Sequence, residues 1–106
     1  MPWYYYASYF AGGLFLANTV PHLTNGISGR PFQSPFAKPP GKGLSSSTVN
    51  VLWGMLNLAF SWFLIFRVGR FQPSNPWQAL PVGIGMTIMS VLTARSFGRF
   101  HGGNLK

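Results

Sequence analysis

Three apolar segments that contain no charged residue divide the chain: Trp3–Val20, Val49–Phe66 and Trp77–Ala94. At about 1.5 Å of helical rise per residue, each is long enough to cross most of a bilayer core of about 30 Å. A buried three-helix core in a soluble protein is the alternative, but such helices show charged outer stripes. The segments therefore predict an all-α membrane protein with three transmembrane helices and a long Pro/Gly-rich loop between the first and second.

The charged residues of the chain are few and all basic. There is no Asp, Glu or Cys, against eight Lys and Arg and 47% hydrophobic residues. Paired-carboxylate hydrolysis, a Ser-His-Asp triad, thiolate sites and carboxylate metal cages all need residues that this chain lacks. The isoelectric point of the chain is about 11.1, and a nucleic-acid binder with so high a value would carry far more basic residues. We predict no catalytic residue, no metal site, no enzyme activity and no nucleic-acid partner.

The chain reads as a single membrane domain over residues 1–106. Proline cannot continue a helical hydrogen-bond ladder, so Pro21 predicts the end of the first helix. The predicted elements are helix 1 at 3–20, a cytoplasmic Pro/Gly-rich loop at 21–48, helix 2 at 49–66, a short outer turn at 67–76, helix 3 at 77–97 and a basic tail at 98–106.

The basic residues predict the orientation of the chain in the membrane. The long loop and the tail share Arg30, Lys38, Lys42, Arg95, Arg99 and Lys106, against Arg67 and Arg70 in the short turn. Cytoplasmic loops carry the excess of Lys and Arg, so this count puts the N-terminus outside and the C-terminus in the cytoplasm. A hairpin with a peripheral first segment is the alternative topology.

Small and polar residues recur on one face of helices 2 and 3. At about 100° per residue, a four-three-four spacing gives a narrow stripe. Small residues let helices approach closely, and Asn or Ser can hydrogen-bond across the contact. The stripes pack either against helices of this chain or against another membrane protein. We predict them at Asn50, Gly54, Asn57 and Ser61 in helix 2, and at Ala79, Gly83, Met86 and Ser90 in helix 3.

The long loop has a proline every four residues, each of the first two followed by phenylalanine. This pattern favours a fixed, extended loop on the membrane surface or against a partner, with Phe32 and Phe36 as anchors; a solvated connection is the alternative. Arg30, Lys38 and Lys42 are candidates to bind lipid phosphate, since Lys and Arg attract anionic head groups.

The two histidines, His22 and His101, both fall on the predicted cytoplasmic side. A two-histidine haem or pigment site would use both, whereas a lone histidine at a helix end more often forms an interfacial hydrogen bond. No cofactor is predicted, and His22 is the candidate residue if one binds.

The stretch GISGRPFQSPFAKPPGKGLSSSTVNVLWG, within His22 to Gly54, resembles a family of small uncharacterised bacterial membrane proteins that share this loop before a transmembrane helix. The resemblance covers about a third of the chain. It implies a bacterial inner (cytoplasmic) membrane, but no established activity of that family lends functional residues.

These features favour a small accessory subunit of a larger integral-membrane complex, in contact with anionic head groups and acting by helix packing and loop docking. A holin-like protein that permeabilises the membrane is the alternative. Three short spans with the N-terminus outside resemble that class, but the Pro-rich loop does not.

Overall fold

Three helices dominate the computed structural model, which describes residues 1–105 of the chain. Ser47–Val68 and Pro76–His101, with mean hydropathies of 1.7 and 1.3, are long and apolar enough to cross a membrane. The prediction of a helical chain is confirmed to that extent. In order, the elements are α1 (Trp3–Ile27), β1 (Phe32–Gln33), β2 (Leu44–Ser45), α2 (Ser47–Trp62), a π-helical segment (Phe63–Val68) and α3 (Pro76–His101).

α1 lies in the middle and packs against α2 in antiparallel orientation. A Cβ added to Gly12, in the first half of α1, would overlap Ile65 in the π-helical segment. A Cβ added to Gly26, near the end of α1, would lie 2.7 Å from the side chain of Val51 in the first turns of α2. The two glycines make room for close packing at two well-separated places along the contact.

α3 packs on the other side of α1 and runs parallel to it. A Cβ at Gly13 would overlap the backbone oxygen of Val82, early in α3. The His22 and Phe97 rings, near the ends of the two helices, are 5.9 Å apart. Little contact joins α2 to α3 directly, so α1 holds the bundle together.

The predicted end of helix 1 at Val20 is wrong, because α1 continues through Pro21 to Ile27. One turn further on, Thr24 Oγ1 donates to the Val20 carbonyl, and Asn25 Nδ2 donates to the Pro21 carbonyl at 2.7 Å. Pro21 removes a single N–H donor from the helix, and beyond it Gly26 still packs closely against Val51 of α2, so tertiary contacts extend over the continued turns.

The predicted end of helix 3 at residue 97 is also too early. α3 continues to His101, and Gly102 follows in the left-handed conformation at φ 78°, donating its N–H to the Gly98 carbonyl at 3.0 Å. Glycine adopts this conformation without a Cβ penalty, so Gly102 ends the helix.

β1 and β2 bring the two halves of the long loop together. They pair antiparallel, with Phe32 opposite Ser45 and Gln33 opposite Leu44. Ser46 then caps α2, its side chain accepting the Val49 N–H at 3.1 Å. The loop therefore folds over the end of the bundle where α1 and α3 finish and α2 begins.

Candidate functional site

The small and polar residues of α2 lie on the face that packs against α1. Asn57 Oδ1 accepts a hydrogen bond from Asn18 Nδ2 at 3.1 Å, and Ser61 Oγ donates to a backbone carbonyl of α1 at 2.8 Å. A Cβ on Gly54 would lie 2.9 Å from the backbone nitrogen of Leu23. Close backbone approach and interhelical hydrogen bonds thus occur together on this face, as in membrane helix pairs generally.

The corresponding stripe of α3 lies beside the contact with α1 rather than in its centre. A Cβ on Gly83 would meet no atom within 4 Å, whereas one on Gly85 would overlap the backbone oxygen of Phe10 in α1. Gly83 does not make the close contact predicted for it within this chain, because α1 approaches along the side of α3 that contains Gly85, whereas Met86 and Ser90 line a cavity together with residues of α1. The exposed residues of the stripe are Ala79, Gly83, Met86 and Ser90.

Phe32 is an anchor inside the chain rather than a residue free to bind a partner. It is 5% exposed, its ring stacks on His101 at 5.2 Å, and it meets the Phe97 ring edge-on at 4.7 Å. Its prediction as an external anchor is wrong, because the β1–β2 pairing turns it inward. Phe36 is 62% exposed and meets the ring of Trp53 edge-on at 5.1 Å.

His22 is buried beneath the loop and is held by Asn50. Its Nδ1 lies 2.8 Å from Asn50 Oδ1. Asn50 Nδ2 in turn lies 3.1 Å from the carbonyls of Phe32 and Ser46 and 3.2 Å from that of Ser45. One amide therefore joins α1, β1 and the start of α2, and both Asn50 and His22 are almost fully buried.

A cavity of about 380 Å³ opens beside this histidine, between the loop and the ends of α1 and α3. The indole N–H of Trp53 in its wall is buried and has no hydrogen-bond acceptor among residues 1–105. Cavities that bind small molecules combine apolar walls with a few placed polar groups. The lining residues are Asn18, His22, Ser34, Pro35, Pro40, Gly41, Trp53, Ser96 and Phe97.

His101 closes the same end of the bundle by joining α3 to the loop. Its Nε2 lies 2.9 Å from Oε1 of Gln33, which is 4% exposed. The two histidines are therefore not arranged to hold one cofactor between them, since His22 bonds to Asn50 and His101 bonds to Gln33.

The predicted phosphate-binding residues Arg30, Lys38 and Lys42 are all exposed on the loop. They lie at the end of the bundle that also holds Arg95 and Arg99 of α3. Within residues 1–105 no group of three or more His, Cys, Asp or Glu side chains is placed to hold a metal ion.

Sequence reasoning missed several residues that the structure brings together. Gly13 and Gly85 form the close contact between α1 and α3, and Trp53 and Phe97 line the cavity. Trp53 could have been found, since it follows Asn50 by three residues and therefore shares its helix face. Phe97 carries no such signal, because its partners come from the loop and from α1.

Comparison with known proteins finds no relative for this chain: no family model, curated protein or solved structure matches it.

Proposed function

We propose that this chain is a small accessory subunit of a larger integral-membrane complex in a bacterial inner membrane, acting by helix packing. In this proposal all three helices cross the bilayer. α1 supports a third span because it has 25 residues, or about 37 Å of helix, and lies between the two more apolar helices.

The exposure of the apolar helices supports a lipid environment. Only 28% of the most apolar window of Ser47–Val68 and 6% of that of Pro76–His101 are buried within the chain. A core helix of a soluble protein is mostly buried, whereas membrane helices present large apolar side chains to lipid. The longest dimension of the molecule, 42 Å, matches a bilayer including its interfacial regions.

The distribution of charge supports an orientation with the N-terminus outside. The loop and the end of α3 carry most of the basic residues at one end of the bundle, and exposed Trp3, Trp62 and Trp77 lie at the other. Basic residues favour the cytoplasmic side, and tryptophan favours the membrane interface. Arg30, Lys38 and Lys42 would then face anionic head groups of the inner leaflet.

The observation that carries the accessory-subunit proposal is the contrast between two exposed sides of α3. We call Ala79, Gly83, Met86 and Ser90 the open side, and Leu80, Ile84, Thr87 and Val91 the bulky side. An added Cβ at Gly83 meets nothing within 4 Å, so the backbone of α3 is accessible there to another helix. Small residues promote helix association in lipid, while bulky branched side chains pack well against acyl chains.

The test exchanges one residue on each side for leucine. Gly83→Leu fills the open side without touching α1 or α2, and Thr87→Leu puts the same side chain on the bulky side. Chains expressed at native level are extracted in a mild detergent and separated by native electrophoresis. We expect the wild type and Thr87→Leu to migrate in an assembly larger than the chain itself, and Gly83→Leu to migrate alone.

Both variants should fold, which unchanged thermal unfolding of the purified proteins would show. If Gly83→Leu remains in the assembly, the open side is not the docking surface. If the wild type forms only oligomers of itself and depolarises cells on expression, the holin-like function replaces the proposed one.

A further inference from the structure

We propose that an apolar groove between α2 and α3 binds an acyl chain of an anionic phospholipid, whose head group is held by Arg67 and Arg70. The observation that carries this inference is an apolar groove that ends beside two arginines, in a chain without any carboxylate side chain. The inference rests on the part of the proposed function that puts the helices in a bilayer, and not on the role of the chain as a subunit.

The groove lies over α1, because α2 and α3 both pack on α1 and make little contact with each other. Leu16 lines it from α1 and Val82 lines it from α3, while its other walls come from α2, the π-helical segment and the turn that follows. Its volume of about 640 Å³ lies within the range of small-molecule sites, about 300–1,000 Å³.

The lining of the groove is apolar, and none of the lining residues among 1–105 is charged. Ser61 contributes a hydroxyl, but its Oγ already donates to the Gly12 carbonyl at 2.8 Å. The groove therefore offers a ligand mainly apolar contact, which suits a hydrocarbon chain.

A helix from a partner protein is too wide for this groove. A helix of about 10 Å diameter fills about 420 Å³ in each turn of about 5.4 Å, so about 640 Å³ corresponds to only about one and a half turns. A spanning helix would lie mostly outside the groove. An acyl chain is a single row of methylene groups and can lie along it.

Arg67 and Arg70 lie at one end of the groove, in the turn that joins two of its lining residues. Phe66 precedes Arg67, Phe71 follows Arg70, and both phenylalanines line the groove. The Phe71 N–H donates to the Ile65 carbonyl at 3.1 Å, so the chain turns back between the two rings, which are 6.0 Å apart. The two arginines therefore belong to one tight turn at this end of the groove.

The two arginines have no anionic side chain to pair with. Both are exposed, and the chain contains no Asp or Glu. A guanidinium presents a planar fork of donors that matches phosphate oxygens, and basic groups beside membrane helices bind anionic head groups. A zwitterionic lipid brings a phosphate together with a cationic group, which two arginines repel. An anionic phospholipid therefore matches both the charge of the turn and the apolar groove.

The experiment measures lipid binding to the full chain, purified in a mild detergent until no lipid remains bound. Dioleoylphosphatidylglycerol and dioleoylphosphatidylcholine, which differ only in the head group, are titrated separately, and native mass spectrometry counts the lipids retained. We expect the first phosphatidylglycerol to bind at least about tenfold more tightly than the first phosphatidylcholine, because of the charge-assisted contacts. No partner is present, so the result does not depend on whether the chain is a subunit.

Two double variants that lose the same charge locate the tightly bound lipid. Arg67→Gln with Arg70→Gln removes two charges from the turn and should weaken phosphatidylglycerol binding about tenfold or more. Arg95→Gln with Arg99→Gln removes two charges from the last turns of α3, at the opposite end of the bundle, and should bind this lipid like the wild type. All four side chains are exposed, so both variants should keep the fold, which circular dichroism checks.

Two aromatic substitutions locate the acyl chain. Ala59→Phe adds a ring inside the groove at an exposed position of α2. It should weaken phosphatidylglycerol binding about tenfold, since the burial of about two methylene groups is worth that factor. Ile88→Phe is the matched control, because Ile88 is exposed on α3 and does not line the groove, and it should bind like the wild type.

Three results would overturn the proposal. Equal affinity of the wild type for the two lipids would exclude the arginines as a head-group site. Loss of binding in the Arg95 and Arg99 variant but not in the Arg67 and Arg70 variant would place the lipid at the opposite end of the bundle. Unchanged lipid binding in Ala59→Phe would show that no acyl chain lies in the groove, and release of that variant from a larger assembly on native electrophoresis would assign the groove to a partner protein.

Discussion

Single alanine substitutions at two glycines of α3 should have opposite effects on stability. Gly83→Ala adds a methyl group that meets nothing within 4 Å. Gly85→Ala adds one that overlaps the backbone oxygen of Phe10, in the centre of the α1–α3 contact. Replacing glycine by alanine inside a helix stabilises it by about 0.5–1 kcal/mol in both variants. The difference in stability between the two variants therefore measures the packing contribution alone.

The packing cost at Gly85 should exceed that gain. Overpacking a tight contact costs about 1–3 kcal/mol, and the upper end applies where the opposing atom belongs to the backbone and cannot rotate away. Gly83→Ala should therefore be slightly stabilising, and Gly85→Ala should unfold at a lower temperature. At about 4–8 °C per kcal/mol for a chain of this size, the two midpoints should differ by at least about 4 °C.

The assay is thermal unfolding in detergent micelles, followed by circular dichroism at one protein-to-detergent ratio. Gly13→Ala, which would overlap the Val82 backbone from the other side of the same contact, should behave like Gly85→Ala. If Gly85→Ala and Gly83→Ala unfold at the same temperature, α1 and α3 are not in close backbone contact, and the described packing is refuted.

Three further predictions concern the loop, the buried amide and the topology. Phe32→Ala should lower the free energy of unfolding by about 3–5 kcal/mol because the ring is buried, while Phe36→Ala should lower it much less. Chemical unfolding measures both free energies, and equal losses would contradict the inward position of Phe32. Asn50→Leu leaves buried carbonyls and His22 without a hydrogen-bond partner, so it should lower the free energy of unfolding by at least about 1–3 kcal/mol in the same assay. Wild-type stability of this variant would show that Asn50 does not hold the loop to the helices. A reporter fused after Lys106 should be cytoplasmic, and one before Trp3 should not; a periplasmic C-terminus would invert the proposed orientation.

The sequence by itself determined the helical segments and several of their ends. Charge-free apolar runs need backbone groups satisfied within the segment, which favours helices in lipid. Ser46 and Asn75 cap α2 and α3 through local hydrogen bonds, so neighbouring residues suffice to predict these starts. The packing face of α2 could also be predicted from the sequence. Asn57 and Ser61 are polar residues in an apolar helix, and such side chains tend to hydrogen-bond to neighbouring helices.

Only the tertiary structure decided which side of α3 packs inside the chain. Lipid is as apolar as a protein interior, so the polarity pattern of an apolar helix does not report which side faces protein. Gly83 and Gly85 are equivalent in sequence, and only Gly85 faces the α1 backbone, at Phe10 and Leu14. The continuation of α1 past Pro21 and the inward position of Phe32 likewise depend on distant partners. His22 shows the same limit, since its hydrogen-bond partner Asn50 is itself held by the carbonyl of Phe32, 18 residues away in the chain.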